Sequence, residues 1–248
     1  MKNVNQLLQH IEIKIPNQEE HGYFLTHSIR YEYLLSHIAT LAKEKKLTIL
    51  DIGCFPYHMG RALELMGHMV YGIASEHEKV TQKNVSTLNI EKDSFPYKDN
   101  FFDIILFSEV LEHLPQSPVF PLIEMHRVTK KGGLVIISTP NIARSINRVK
   151  LLFGKSIMYP LDVYFDEGGR GNLIYHRHNR EYTLSELTTL LHRTKWEIEH
   201  GGYFISYTPF RKRLIADSFL LKTVKMANYL TMLPIPSLQD TLFVVGRK

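Results

Sequence analysis

The sequence predicts a doubly wound α/β domain with a mainly parallel sheet. Short, near-continuous apolar runs follow one another from Leu47: "LTILDIG", "HMVYGIAS", "FFDIILFS" and "GGLVIISTP". Segments of helical character, "HMGRALELMG", "HEKVTQKN" and "SPVFPLIEMHRVTKK", lie between them. A strand that is apolar on both faces needs cover on both faces, and helices alternating with strands supply it.

The elements follow in order. Up to about Lys46 the chain reads as helix, because Tyr31, Leu34, Leu35, Ile38 and Leu41 recur at helical spacing. Residues 1–46 are thus expected to form a helical N-terminal cap ahead of a main domain at 47–248. After Pro140 the strand–helix rhythm breaks. Residues 141–181 are polar, aromatic and glycine-containing, with "FDEGGRGN" as an evident loop, and read as an insertion. The rhythm resumes with "TLSELTTLLHRT", where Thr183 is the N-cap and Glu186, three residues on, completes a capping box. "WEIEHGGYFISY" and "DTLFVVGRK" read as strands, with a basic, apolar helix at about 211–231 between them. This late pair is expected to be antiparallel at one edge of the sheet.

Composition sets the class. With 248 residues, 44% apolar and 22% charged, the chain can bury a sizeable core without disulfides. The single cysteine, Cys54, excludes an internal disulfide and a thiolate metal cluster. It fits a reducing compartment, so a cytoplasmic location is expected. The N-terminal stretch lacks a secretory h-region, and no apolar run approaches the ~20 residues that span a bilayer. A formal net charge of +5 suits an anionic ligand without indicating nucleic acid.

In a doubly wound sheet, ligands lie beyond the carboxyl ends of the strands. "DIGCFPYHMG" follows the first strand, and Gly53 there allows a sharp turn and a close backbone approach. "GIASEHEK" follows the second. Ala74 holds the place where a ribose-binding acid is sought, and the nearest acids are Glu76 and Glu78. Further on, "LNIEKDSFPYKDNFFD" presents Glu91 and Asp93, each able to accept from a purine amino group. "SEVLEHL" then gathers Glu109, Glu112 and His113 on one short turn.

Together "ILDIGC", "GIASE", "IEKDSFPYKDNFFDIILFSEVLEHL", "EMHRVTKKGGLVIISTPN" and "HRHNREYTLSELTTLLHRTKWEIE" resemble, in order, the motifs of class I S-adenosylmethionine-dependent methyltransferases. The resemblance covers about residues 47–200. It implies a Rossmann-like, seven-stranded sheet with an antiparallel final hairpin, and S-adenosylmethionine as cofactor. By the same resemblance, Asp51, Gly53, Cys54 and Phe55 lie at the methionine side and Glu76 replaces the usual ribose acid. Glu91, with Lys92 beside it, faces the adenine, and Ser108 and Glu109 line the floor. This sequence departs from the family where glycines are usual, at Phe55 and Tyr57, and where the acid is usual, at Ala74. Some members in surface-glycan pathways have a similar "G-x-x-P-Y" loop.

Methyl transfer to oxygen benefits from alignment of donor and acceptor and from a base, most often histidine. His113 and His178 are the candidate bases. His27, Arg30 and Tyr31 in the N-terminal segment, with Arg144, His176 and Arg180 around the insertion, are the candidate acceptor-binding residues. Each of these histidines also suits a structural or surface position, and the arginines suit a solvated helix face. Glu109, Glu112 and His113 match a group that a few related methyltransferases use to hold a metal over a vicinal diol or an RNA end. No fixed-spacing further ligand accompanies them, so no metal is assigned. The late basic helix suits either packing on the sheet or peripheral membrane contact. No aromatic–basic strand pattern of an RNA-reading module is present, which argues against nucleic acid. The expected activity is O-methylation of a glycan precursor, as in polysaccharide biosynthesis, or of a small polar metabolite. The alternatives are a non-catalytic methyltransferase-like binding module and a metal-dependent RNA-end methyltransferase.

Overall fold

The computed structural model describes residues 4–78, 80–162, 165, 177–207 and 219–248. Helices α1 (Val4–Glu12) and α2 (Gln18–Ala42) precede β1 (Thr48–Ile52), α3 (His58–Leu65), β2 (Met69–Ala74), β3 (Val85–Thr87) and β4 (Phe102–Ser108). Then come α4 (Val119–Val128), β5 (Thr129–Pro140), α5 (Ser145–Leu152), α6 (Leu184–Arg193), β6 (Glu197–Phe204), α7 (Phe219–Met232) and β7 (Thr241–Arg247). The seven strands form one sheet in the order β3-β2-β1-β4-β5-β7-β6. The strands from β3 to β5 pair in parallel, and β7 runs antiparallel to both β5 and β6. The expected fold is therefore present, reversed hairpin included.

Side-chain alternation divides the core into two layers. Ile49 of β1, Ile104 and Leu106 of β4, and Phe243 of β7 share an apolar cluster with Leu7, Phe24, Leu34 and Ile38 of α1 and α2. Leu50, Ile52, Ile105, Phe107, Val135 and Val244 point the other way, onto Leu122 and Met125 of α4 and Leu187 and Leu191 of α6. Each buried aliphatic side chain of this kind contributes about 2 kcal/mol. Helix α2 starts at Asn17, whose Oδ1 accepts from the Glu20 N–H at 2.8 Å. The capping box at Thr183 is formed as expected.

One reading is corrected. "HEKVTQKN" holds no helix among its described residues; Val80 is its single apolar residue, so a helix there would have no face to bury. β3 follows directly and is too short, at three residues, to stand out by alternation. The loop "FDEGGRGN" lies outside the described residues apart from Phe165, as does the 211–218 part of the late basic helix. Among the described residues no helix is long and apolar enough to cross a membrane.

Candidate active site

The strand order reverses between β1 and β4, and the loops after these strands meet there. A cavity of about 120 Å³ opens at this point. Its walls are Ile52 at the end of β1 with Gly53 after it, Ile73 and Ala74 at the end of β2 with Ser75–His77 after them, Leu88–Glu91 after β3, and Val110, His113 and Leu114 after β4. Glu76 stands exposed at its rim. Glu91 uses Oε1 to accept from the Gln116 and Ser117 N–H groups, at 2.8 and 3.0 Å. Its Oε2 is buried and accepts from no protein group. Lys92 is exposed and lies outside the lining.

The β1 loop is built around Gly53. Its φ of +75° lies in the left-handed region, and a Cβ there would sit 2.3 Å from Val110 Cγ2. Glycine is thus needed for the contact between the two loops. The Cys54 thiol is buried and packs over Gly72 of β2, where a Cβ would come within 2.7 Å of its sulfur. Burial pushes that thiol well up. Phe55 is exposed, and the Phe55–Pro56 peptide is cis. Tyr57 lies against Gly60, donates to Glu64 Oε1 at 3.0 Å and accepts from Asn84 Nδ2 at 2.9 Å. Cys54, Phe55 and Tyr57 all stay outside the cavity walls. Asp51, on the α2 side of β1, is only 4% exposed, and its Oδ2 accepts from no protein group. Burial raises its pKa to about 7.

Helix α2 contributes His27, Arg30 and Tyr31, the last of which feels the Asp51 charge. Arg30 is buried, with Nη1 3.3 Å from Glu109 Oε2 and with Nε bonded to nothing. Burial opposes its charge, and Glu109 with the neighbouring tyrosines outweighs that, so its pKa is raised. Burial, reinforced by Arg30 and His58, lowers His27 to about 3, so its ring is neutral near pH 7. Burial raises the Tyr31 hydroxyl.

The turn after β4 carries the densest group of ionisable side chains. Ser108 Oγ lies 2.8 Å from Ser138 Oγ, which donates to Glu109 Oε1 at 3.1 Å. Glu109 has a φ of +55°, a conformation that costs a non-glycine residue about 1–2 kcal/mol. Its N–H donates to the Ser138 carbonyl at 2.9 Å. Glu112 is 1% exposed; its Oε2 accepts from Thr139 Oγ1 at 2.9 Å, while Oε1 accepts no hydrogen bond. Burial and then the Glu109 charge push its pKa well above the carboxylate range. His113 Nδ1 lies 3.1 Å from the Arg177 carbonyl, and since a carbonyl only accepts, Nδ1 carries the proton. His178 meets His113 edge to face, with ring centroids 5.0 Å apart, and its Nδ1 lies 2.9 Å from Glu181 Oε1. The Asn179 N–H donates to the Glu112 carbonyl at 2.7 Å, and Asn179 Nδ2 donates to the His113 carbonyl at 2.8 Å. These two bonds bring His178 to the turn across the sequence.

A methyltransferase domain family matches residues 25–200. The chain belongs to this family. It is an S-adenosylmethionine-dependent methyltransferase with the Rossmann-like fold expected of class I members. A Mycolicibacterium smegmatis protein named "Probable S-adenosylmethionine-dependent methyltransferase" is 24% identical over 235 residues, covering 83% of this chain and 80% of its own. A ubiquinone biosynthesis O-methyltransferase from Rickettsia prowazekii is 30% identical over 122 residues, covering 46% of this chain and 48% of its own. The chain thus spans less than half of that relative's length. Among solved structures, S-adenosylmethionine-dependent methyltransferases from Archaeoglobus fulgidus and Aquifex aeolicus superpose with TM-scores of 0.53 and 0.52, at 14% and 15% identity. They cover 91% and 99% of this chain and 99% and 98% of their own. They share the fold.

Not every expected residue of the methyltransferase lies at the cavity. Arg144 is held in a two-bond pair with Glu181, at 2.8 and 3.0 Å, and so reaches His178 only through that carboxylate. Arg180 pairs with Glu186 at 2.8 Å and lies over the Tyr182 ring, beside an open groove of about 560 Å³ next to α6. His176 lies outside the described residues. Sequence reasoning missed Val110, Glu181 and Asn179. Val110 is one more apolar residue in "SEVLEHL", and the other two are polar residues whose partners are distant in sequence, so no local signal distinguishes them.

Proposed function

We propose that this methyltransferase methylates a hydroxyl oxygen of a small polar or glycan-type acceptor, in a cytoplasmic setting. The observation that carries the reading is the position of His113, which lines the cavity and also meets His178. A base is thereby available beside the donor. The ubiquinone biosynthesis relatives are named as O-methyltransferases, which agrees with oxygen as the acceptor atom.

The residues present fit the cofactor. Asp51 Oδ2 and Glu91 Oε2 are buried acceptors that lack donors, and the methionine and adenine amino groups would satisfy them. Glu76, at the rim, would accept from the ribose hydroxyls. When bound, S-adenosylmethionine supplies a methyl group activated by a sulfonium. The His113 imidazole, its Nδ1 proton directed to the Arg177 carbonyl, would take the acceptor's hydroxyl proton at Nε2. His178, oriented by Glu181, stands next to it as the second such group.

Calorimetry with S-adenosylhomocysteine tests the donor site, and its absence of binding to folded protein sinks the reading. His113→Ala is expected to lower turnover by about 10²-fold while changing S-adenosylhomocysteine affinity much less. Product release measured against polyols, nucleotide sugars, catechols and amines identifies the acceptor class. Amine-only turnover would overturn the oxygen assignment.

A further inference from the structure

We propose that helix α5 and the turn after it form a surface that docks on an anionic lipid membrane. This surface does not depend on the methylation reading above. Helix α5 is packed inside out. A surface helix ordinarily buries an apolar stripe and gives its polar residues to water. Here the buried residues are Ser145 and Asn147. Ser145 Oγ donates to Asn228 Oδ1 of α7, and Asn147 Nδ2 donates to the Ile142 carbonyl at 2.9 Å. Ile146, Val149, Leu151 and Leu152 are exposed instead.

The same character continues beyond the helix. Leu152 and Phe153 are 80% and 72% exposed at its end, where Gly154 turns the chain with a φ of +67°. Met158 and Leu161 follow, also exposed. Single apolar side chains are ordinary on a protein surface, but a run of large ones marks a site of contact. Helix α7, which meets α5 through the Ser145–Asn228 bond, exposes Val224, Leu230 and Leu233.

Charge identifies the occupant. From Ser145 to Leu161 the chain has Arg148, Lys150 and Lys155 and no acid, and from Phe219 to Gln239 it has Lys222 and Lys225 and no acid. Arg148, Lys150 and Lys155 are exposed, and among the described residues neither Lys150 nor Lys155 pairs with a carboxylate. A second copy on a two-fold axis would bring the same cations face to face, and lysine is depleted from the cores of protein interfaces. An anionic bilayer answers both features. Leu152 and Phe153 enter the boundary between headgroups and acyl chains, while the lysine and arginine stems lie along it with their charges at the lipid phosphates. The face adjoins the candidate site, because Arg144 at the start of α5 pairs with Glu181, which holds His178.

The test is co-sedimentation of the whole chain with vesicles of phosphatidylcholine alone, or of equal parts phosphatidylcholine and phosphatidylglycerol. Binding to the mixed vesicles is expected, weakening as salt is raised. The Leu152→Ser, Phe153→Ser double variant should lower vesicle affinity at least about tenfold. Lys150→Gln and Lys155→Gln should each lower it about fivefold. All these side chains are exposed, so the urea midpoints should stay at the wild-type value, which confirms folding. No binding by wild type, or equal affinity in the Leu152→Ser, Phe153→Ser variant, overturns the surface. Equal binding to phosphatidylcholine alone overturns the anionic assignment. A wild-type dimer that the same double variant dissociates, with no vesicle binding, gives the face to a second copy and overturns the proposal. Vesicle binding by a chain that does not bind S-adenosylhomocysteine upholds the surface and overturns the methylation reading instead.

Discussion

Asp51 carries an ionisation that a ligand would change. Burial raises its carboxyl to about 7, from the ordinary 3.8 of an aspartate. Between those values the folded chain holds a proton that the unfolded chain has lost. Asp51 therefore makes the ligand-free fold less stable as pH rises from about 4 to 7. Asp51→Asn should flatten that part of the stability profile in urea titrations. A ligand ammonium beside Asp51 requires the ionised form. S-adenosylhomocysteine affinity should then fall about tenfold per pH unit below about 7 and level off above it. Calorimetry across that range checks this; an affinity flat through pH 6 removes Asp51 from the cofactor site, as would unchanged affinity in Asp51→Ala. Gly53 tests the same loop. Gly53→Ala adds a Cβ 2.3 Å from Val110 Cγ2 at a φ of +75°. It should cost at least about 1 kcal/mol and weaken cofactor binding with it.

At the scale of elements, local chemistry and spatial neighbours divide the credit. The α6 capping box was legible because all its partners lie within "TLSE". Thr183→Ala should remove about 1 kcal/mol of stability, read as a lower urea midpoint, while leaving S-adenosylhomocysteine affinity unchanged. β3 was not legible. Its three residues gain their strand character from pairing Gly72 with Val85, a contact invisible in a window of the chain. The β1 loop was legible only in part. Its glycine stood out, but the structure turns Tyr57 toward Glu64 and Asn84 and leaves the cavity wall to Leu88, Ile90 and Val110.

Across the whole molecule, α2 is joined to the sheet by the Arg30–Glu109 pair, and this couples the N-terminal helices to the turn that carries Glu112 and His113. Arg30 is 6% exposed, so removing one partner leaves a buried charge. Arg30→Met should cost about 3 kcal/mol, and the Arg30→Met, Glu109→Gln double variant should recover part of that loss. Additive losses in chemical denaturation would show that the two residues do not depend on each other.

Apolar runs alternating with helices determined the parallel sheet, since a strand buried on both faces admits few other arrangements. The order of short motifs determined the family and its cofactor. Tertiary structure decided which side chains meet. It set Val110 against Gly53, gave Arg30 to Glu109, and brought His178 to Glu112 and His113 through Asn179. Such meetings depend on loops that cross the strand ends, and a one-dimensional pattern carries no record of which loops come together there.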